Sequence, residues 1–162
     1  WELAAPFSFL VTTIVRYAIW PVVLKKTRDT SVLRSARTLI MHNGNVLMVL
    51  VESALLGAPP VYLSHVALSL LIASAYVVFA WCTTHMWTTP DKGPQFIYFF
   101  LDTTLPGYLS TWFLFILFLV LLFFYVLFCS FETVLNSLES TGIVGLTLFI
   151  LLVSTCMMRW RD

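Results

Sequence analysis

Charge is scarce in this chain: Lys, Arg, Asp and Glu make up 10% of its 162 residues, against 60% hydrophobic residues. So little polar surface cannot cover a water-soluble globule built around one core. The formal net charge is +1, which excludes the dense basic patch that nucleic acid requires, and no nucleic-acid partner is expected. Three cysteines, Cys82, Cys129 and Cys156, lack any Cys-x-x-Cys spacing. They therefore supply no disulfide framework, no zinc site and no sign of a redox compartment. Each lies in an apolar stretch and reads as a small buried hydrophobe. Internal repeats, low-complexity tracts and long linkers are missing too, so residues 1–162 are expected to form a single transmembrane domain.

What the chain has in quantity is apolar runs of about 20 residues, the length of a helix that crosses about 30 Å of hydrocarbon with its backbone hydrogen bonds satisfied internally. Five are predicted, over about 4–24, 38–57, 64–87, 108–131 and 141–160. Between the third and fourth, residues 95–104 are too short to span and too aromatic for water. They read as an interfacial or re-entrant segment carrying Tyr98 and Asp102. The expected fold class is all-α: a polytopic integral membrane helical bundle of five transmembrane helices plus this aromatic segment.

Charge placement gives the orientation, because loops rich in Lys and Arg stay on the side from which the chain is inserted. With five alternating spans, Lys25, Lys26, Arg28, Arg34, Arg37, Lys92, Arg159 and Arg161 share one side, while Glu2, Glu132 and Glu139 face the other. The N-terminus is then on the outer side. The C-terminus is on the cytosolic or matrix side of an endomembrane or a mitochondrial inner membrane. The first run is not a signal peptide, since it contains Arg16 and lacks a basic leading region. The chain opens on Trp1 rather than Met, so further residues are expected upstream.

Ionisable residues inside membrane helices cost about 2.5–3.5 kcal/mol on insertion scales and need a partner or a cavity. Arg16, His42, Glu52 and His85 are such residues. Arg16 lies roughly 15 Å from the outer end of its helix and Glu52 about 7 Å from the same surface. Two roles are open for Arg16: pairing with Glu52, or snorkelling toward the basic loop. His42, Asn45 and Glu52 share a face of the second helix. This polar stripe is expected to point into the bundle, as interhelical glue or as a relay, active site or cavity wall.

His42 and His85 fall at similar depth, yet no i,i+4 histidine pair and no nearby cysteine ligand accompanies them. No metal and no cofactor is expected. For hydrolysis, Cys82-Thr83-Thr84-His85 supplies a base, and Thr12 or Thr13 supplies a hydroxyl. Threonines in membrane helices ordinarily bond back to their own backbone carbonyls.

Several pieces occur in a familiar order: Ala5-Pro6-Phe7, Met41-His42 with Glu52 ten residues on, Tyr76 with His85 nine residues later, and Ile97-Tyr98-Phe99-Phe100-Leu101-Asp102. In this, over roughly residues 4–125, the chain resembles the androgen-induced/androgen-dependent family of transmembrane lipid hydrolases and their rolling-stone relatives. The resemblance implies an intramembrane threonine nucleophile and a histidine base that cleave fatty acid esters, with His85 in the base's place. It also places the family's threonine on a helix before the first one here, and it departs at Phe99 and at the insert 88–93. The preferred expectation is an accessory or scaffold subunit that keeps a hydrolase-like fold inside a larger membrane assembly, with membrane lipids and other transmembrane subunits as partners. The other is a lipid ester hydrolase with His85 as base and Thr12 or Thr13 as nucleophile.

Overall fold

The computed structural model describes residues 1–87 and 98–162, except the side chains of His85, Trp87, Glu132 and Glu139. Its regular elements, among the described residues, are all helical. Helices α1 (Ala4–Thr27), α2 (Ala36–Leu56), α3 (Leu63–Cys82) and α5 (Leu109–Cys129) are long and apolar enough to cross a membrane. Two are short, α4 (Thr84–Trp87) and α6 (Phe131–Glu139), and α7 is Gly142–Met157. At 16 residues, α7 is about 24 Å long, less than a hydrocarbon core of about 30 Å. The expected fifth span over 141–160 is thus a shorter apolar helix with an extended tail.

Local chemistry sets the ends and the irregularities. In α1 a π turn, Val15–Ile19, comes just before Pro21, whose ring crowds the carbonyl four residues back and offers no N–H to it; the widened turn accommodates both defects. The helix stops at Thr27, where Arg28 takes a left-handed φ of 56°. Ser35 caps α2 by accepting from the Thr38 N–H at 3.3 Å, and Gly57, at φ +73°, ends it. Two π turns, Ile40–Gly44 and Glu52–Leu56, interrupt α2.

Cα packing divides the chain into two compact units. In the first, Trp1–Leu63 with Phe124–Asp162, α1, α2 and α7 pack against one another and α6 packs on α7. A relay of rings runs through it. Phe9 meets Phe124 and Phe128 edge-on at 5.9 and 4.8 Å, Phe128 meets Phe131 at 5.0 Å, and Phe131 meets Phe149 at 5.5 Å. Such pairs contribute about 0.5–1.5 kcal/mol each beyond burial. Fully buried Tyr125 donates its hydroxyl to the Tyr62 carbonyl at 3.1 Å. In α6 the apolar side chains of Phe131, Leu135 and Leu138 recur at helical spacing on one side, with Phe131 buried.

The second unit is Ser64–Phe123. Val77, Ala80 and Leu101 form its core, with Trp81, Tyr98, Phe100 and Leu114 packed around them. Within the aromatic segment, Phe99–Leu101 form a 3₁₀ turn; residues 95–97 of the expected 95–104 segment lie outside the described residues.

The cysteines correct one expectation. Cys82 and Cys156 are exposed and Cys129 is half-buried, all three as free thiols. An apolar stretch marks a helix as greasy on every side, and so does not select the residues that face inward.

Candidate functional site

The polar groups of the first unit converge on the end of α7 and the tail after it. The last carbonyls of a helix have no intrahelical donor and carry the negative end of its dipole. Arg16, carried on the π turn of α1, fills that role for α7. Its guanidinium donates to the Thr155 carbonyl at 2.6 Å and also to the Met158 carbonyl. Tyr17 donates its hydroxyl to the Cys156 carbonyl at 2.7 Å. In place of the Glu52 pairing that was one of its two expected roles, Arg16 caps a helix whose Thr155 carbonyl lies 139 positions away.

Residues 158–162 continue beyond the helix as a strap held by side chains. Asn43, 3% exposed in the π turn of α2, donates its amide to the Arg159 carbonyl at 2.8 Å. The Asp162 carboxylate accepts from the Trp20 indole N–H at 2.8 Å and from the Thr30 hydroxyl at 2.8 Å, with Arg34 at 3.8 Å. The Arg159 guanidinium lies 5.1 Å from the Trp20 ring centroid, within cation–π range. Hydrogen bonds from Thr30 and Trp20, then the charges of Arg34 and Arg159, hold the Asp162 carboxyl below the usual carboxylate range.

A second contact joins α1 to α2. Thr12, 1% exposed, donates its hydroxyl to the backbone carbonyl of His42, a residue of the Ile40–Gly44 π turn. A π turn takes carbonyls out of the regular i,i+4 ladder, and Thr12 accordingly bonds across to the neighbouring helix and not back to its own backbone. Thr13 reaches the Met157 sulfur at 3.8 Å. The Nδ1 of His42 is buried without a partner among the described residues.

The expected inward stripe of His42, Asn45 and Glu52 is corrected. The buried positions on α2 are Asn43, Val46, Val49 and Leu50, so the inward face is offset by one residue, about 100° of helix rotation. His42 is half-buried, whereas Asn45 and Glu52 are exposed. Asn45 bonds back to the Met41 carbonyl at 2.8 Å. Together with Met41 and Met48, 53% and 69% exposed, they make a stripe at helical spacing that points away from the unit's interior.

In the second unit, the indole N–H of Trp81 donates to the Leu101 carbonyl at 2.9 Å, which ties the aromatic segment to α3. Asp102 organises a turn, its Oδ1 accepting from the Thr104 N–H at 2.8 Å and the Thr104 hydroxyl at 2.6 Å. Ser110 donates to the Asp102 carbonyl. Tyr98 stacks on Phe100 at 5.1 Å. These residues hold the fold, and the side chain of His85 lies outside what is described. No group of three or more His, Cys, Asp and Glu residues suited to a metal occurs among the described residues.

Sequence reasoning missed Trp20, Thr30, Asn43 and Asp162. The one usable sign was Asp162, the lone acid of a basic tail. Comparison with protein-family models, curated proteins and solved structures gives no match to this chain.

Proposed function

We propose that this chain is an integral membrane protein of five crossings that serves as an accessory or scaffold subunit of a larger membrane assembly. Four helices with the length and apolarity of spans support the membrane placement. The fifth crossing combines α7 with its strap. The N-terminus is on the outer side and the tail on the inner side. Contacts of Asp162 with Thr30 and Arg34 favour this arrangement, since they gather the tail and the basic 25–37 loop at one end.

The observation that carries the subunit reading is the outward stripe of Met41, Asn45, Met48 and Glu52 on α2. Lipid offers an exposed carboxylate and carboxamide no partner, while a neighbouring helix does. A photo-crosslinker at position 48 in native membranes is expected to trap a protein neighbour, with Asn45→Leu and Glu52→Leu together abolishing the adduct. Crosslinks to lipid alone would overturn the reading.

A second reading is an intramembrane threonine/histidine lipid ester hydrolase of the androgen-induced type, with Thr12, buried on α1, or Thr13 as nucleophile and His85 as base. Labelling by an activity-based hydrolase probe that is lost in Thr12→Val or His85→Ala would establish it in place of the first.

A further inference from the structure

A cavity of about 550 Å³ opens beside the end of α7, lined by Arg16, Leu151, Ser154, Arg159, Arg161 and Asp162 among others. This is within the range of about 300–1,000 Å³ typical of small-molecule sites. The lining includes three arginines and the Asp162 side-chain carboxylate. That carboxylate is already engaged by Trp20 and Thr30, and the α7 carbonyls that would repel an anion are covered by Arg16. The lining is left with an excess of positive charge.

A second, independent feature lies in the same wall. Ser154 is 5% exposed, and its hydroxyl has no hydrogen-bond partner among the described residues. Serines in apolar helices ordinarily bond back to their own helix, as Ser8, Ser53 and Ser74 do here. A buried hydroxyl left unpaired costs about 1–3 kcal/mol unless something bonds to it.

We propose that this cavity binds the phosphate group of an anionic phospholipid, with Arg159 and Arg161 supplying charge and Ser154 a hydrogen bond. The lipid source follows from the surroundings. Leu148, Leu151 and Leu152 of α7 are 56–65% exposed, an apolar face along which acyl chains lie. Trp160, half exposed at the cavity, is the residue type that marks the headgroup level. The proposal rests on the membrane placement but not on the subunit reading.

The test uses the full chain purified in detergent, with native mass spectrometry reading the affinity for phosphatidylglycerol, phosphatidylcholine and inorganic phosphate. Phosphatidylglycerol is expected to bind most tightly. Arg161→Gln should weaken it about fivefold, the effect of one basic residue at an anionic surface, with a smaller loss for Ser154→Ala. Lys26→Gln, which removes a charge outside the cavity, should leave it unchanged. Equal affinity for the two lipids, or equal loss in Lys26→Gln and Arg161→Gln, would overturn the site. Displacement of the lipid by an equal concentration of inorganic phosphate would overturn the lipid source. Alkaline extraction of native membranes tests the membrane placement separately: release of the chain into the supernatant defeats that placement whatever the affinities show.

Discussion

The Arg16 guanidinium donates to the carbonyl of Thr155 at 2.6 Å, joining the middle of the first long helix to the last turn of the final one. The charge that looks most expensive in the apolar sequence is thereby placed where a helix end most needs a donor. Capping also explains how α7 ends without leaving bare carbonyls, since its terminal groups are met by Arg16 and Tyr17, and the strap's Arg159 carbonyl by Asn43.

Removing this cap should be costly. Arg16→Gln shortens the reach and discards the charge, leaving carbonyls unpaired at about 1–3 kcal/mol each. Thermal unfolding in detergent should shift down by several degrees. Arg16→Lys should recover only part of the loss, because an ammonium lacks the guanidinium's fixed fork. An unchanged midpoint in Arg16→Gln would refute the capping role.

The two asparagines of α2 should behave oppositely. Asn43→Leu removes the donor to the Arg159 carbonyl and strands that acceptor, at about 1–3 kcal/mol. Asn45→Leu affects a side chain on the outer surface that bonds only its own helix, so the isolated chain should be as stable as before. Denaturation of the two variants side by side decides the matter, and equal destabilisation would contradict the observed facing of α2.

The strap should respond to acid and not to base. Asp162 is held below its ordinary 3.8 by Thr30 and Trp20, then by Arg34 and Arg159. The attached carboxyl therefore takes up a proton less readily than the released one. Attachment is complete above that ordinary value and is lost as pH falls through the lower, attached-state value. Hydrogen exchange at residues 158–162 should stay constant from about pH 8 to about pH 5 once corrected for intrinsic rates, and rise only in stronger acid. In Thr30→Ala the rise should begin at higher pH. Loosening between about pH 5 and about pH 8 would count against the contact.

Trp20→Phe separates two contacts of one side chain. The ring remains beneath Arg159 while the N–H to Asp162 is gone. Limited proteolysis should then cut within residues 158–162 faster than in the unaltered chain, with the rest of the protein equally resistant. Equal rates would mean that the indole N–H does not hold the tail.

The long helices are legible in the residues alone, because the cost of unsatisfied backbone groups in a membrane depends on length and apolarity, both of which are local. The expected runs over 4–24, 38–57, 64–87 and 108–131 agree within a few residues with α1, α2, α3 plus α4, and α5, apart from a break at Thr83. Gly57, before Ala58-Pro59-Pro60, is likewise legible as a stop from residue type alone.

Which way the helices face emerges only from their packing. In a water-soluble helix the polar side marks solvent and so fixes the inward face. In a helix that lipid can cover, Leu47 and Met48 are as apolar outside as Val46 and Leu50 are inside, and periodicity loses that information. The π turns of α2 add to the difficulty by shifting the helical phase. Asn43 was therefore passed over in favour of Asn45. Arg16 stays open between Glu52 and the basic loop in the sequence, since nothing local to residue 16 shows that a helix end lies beside it until α1, α2 and α7 are packed together.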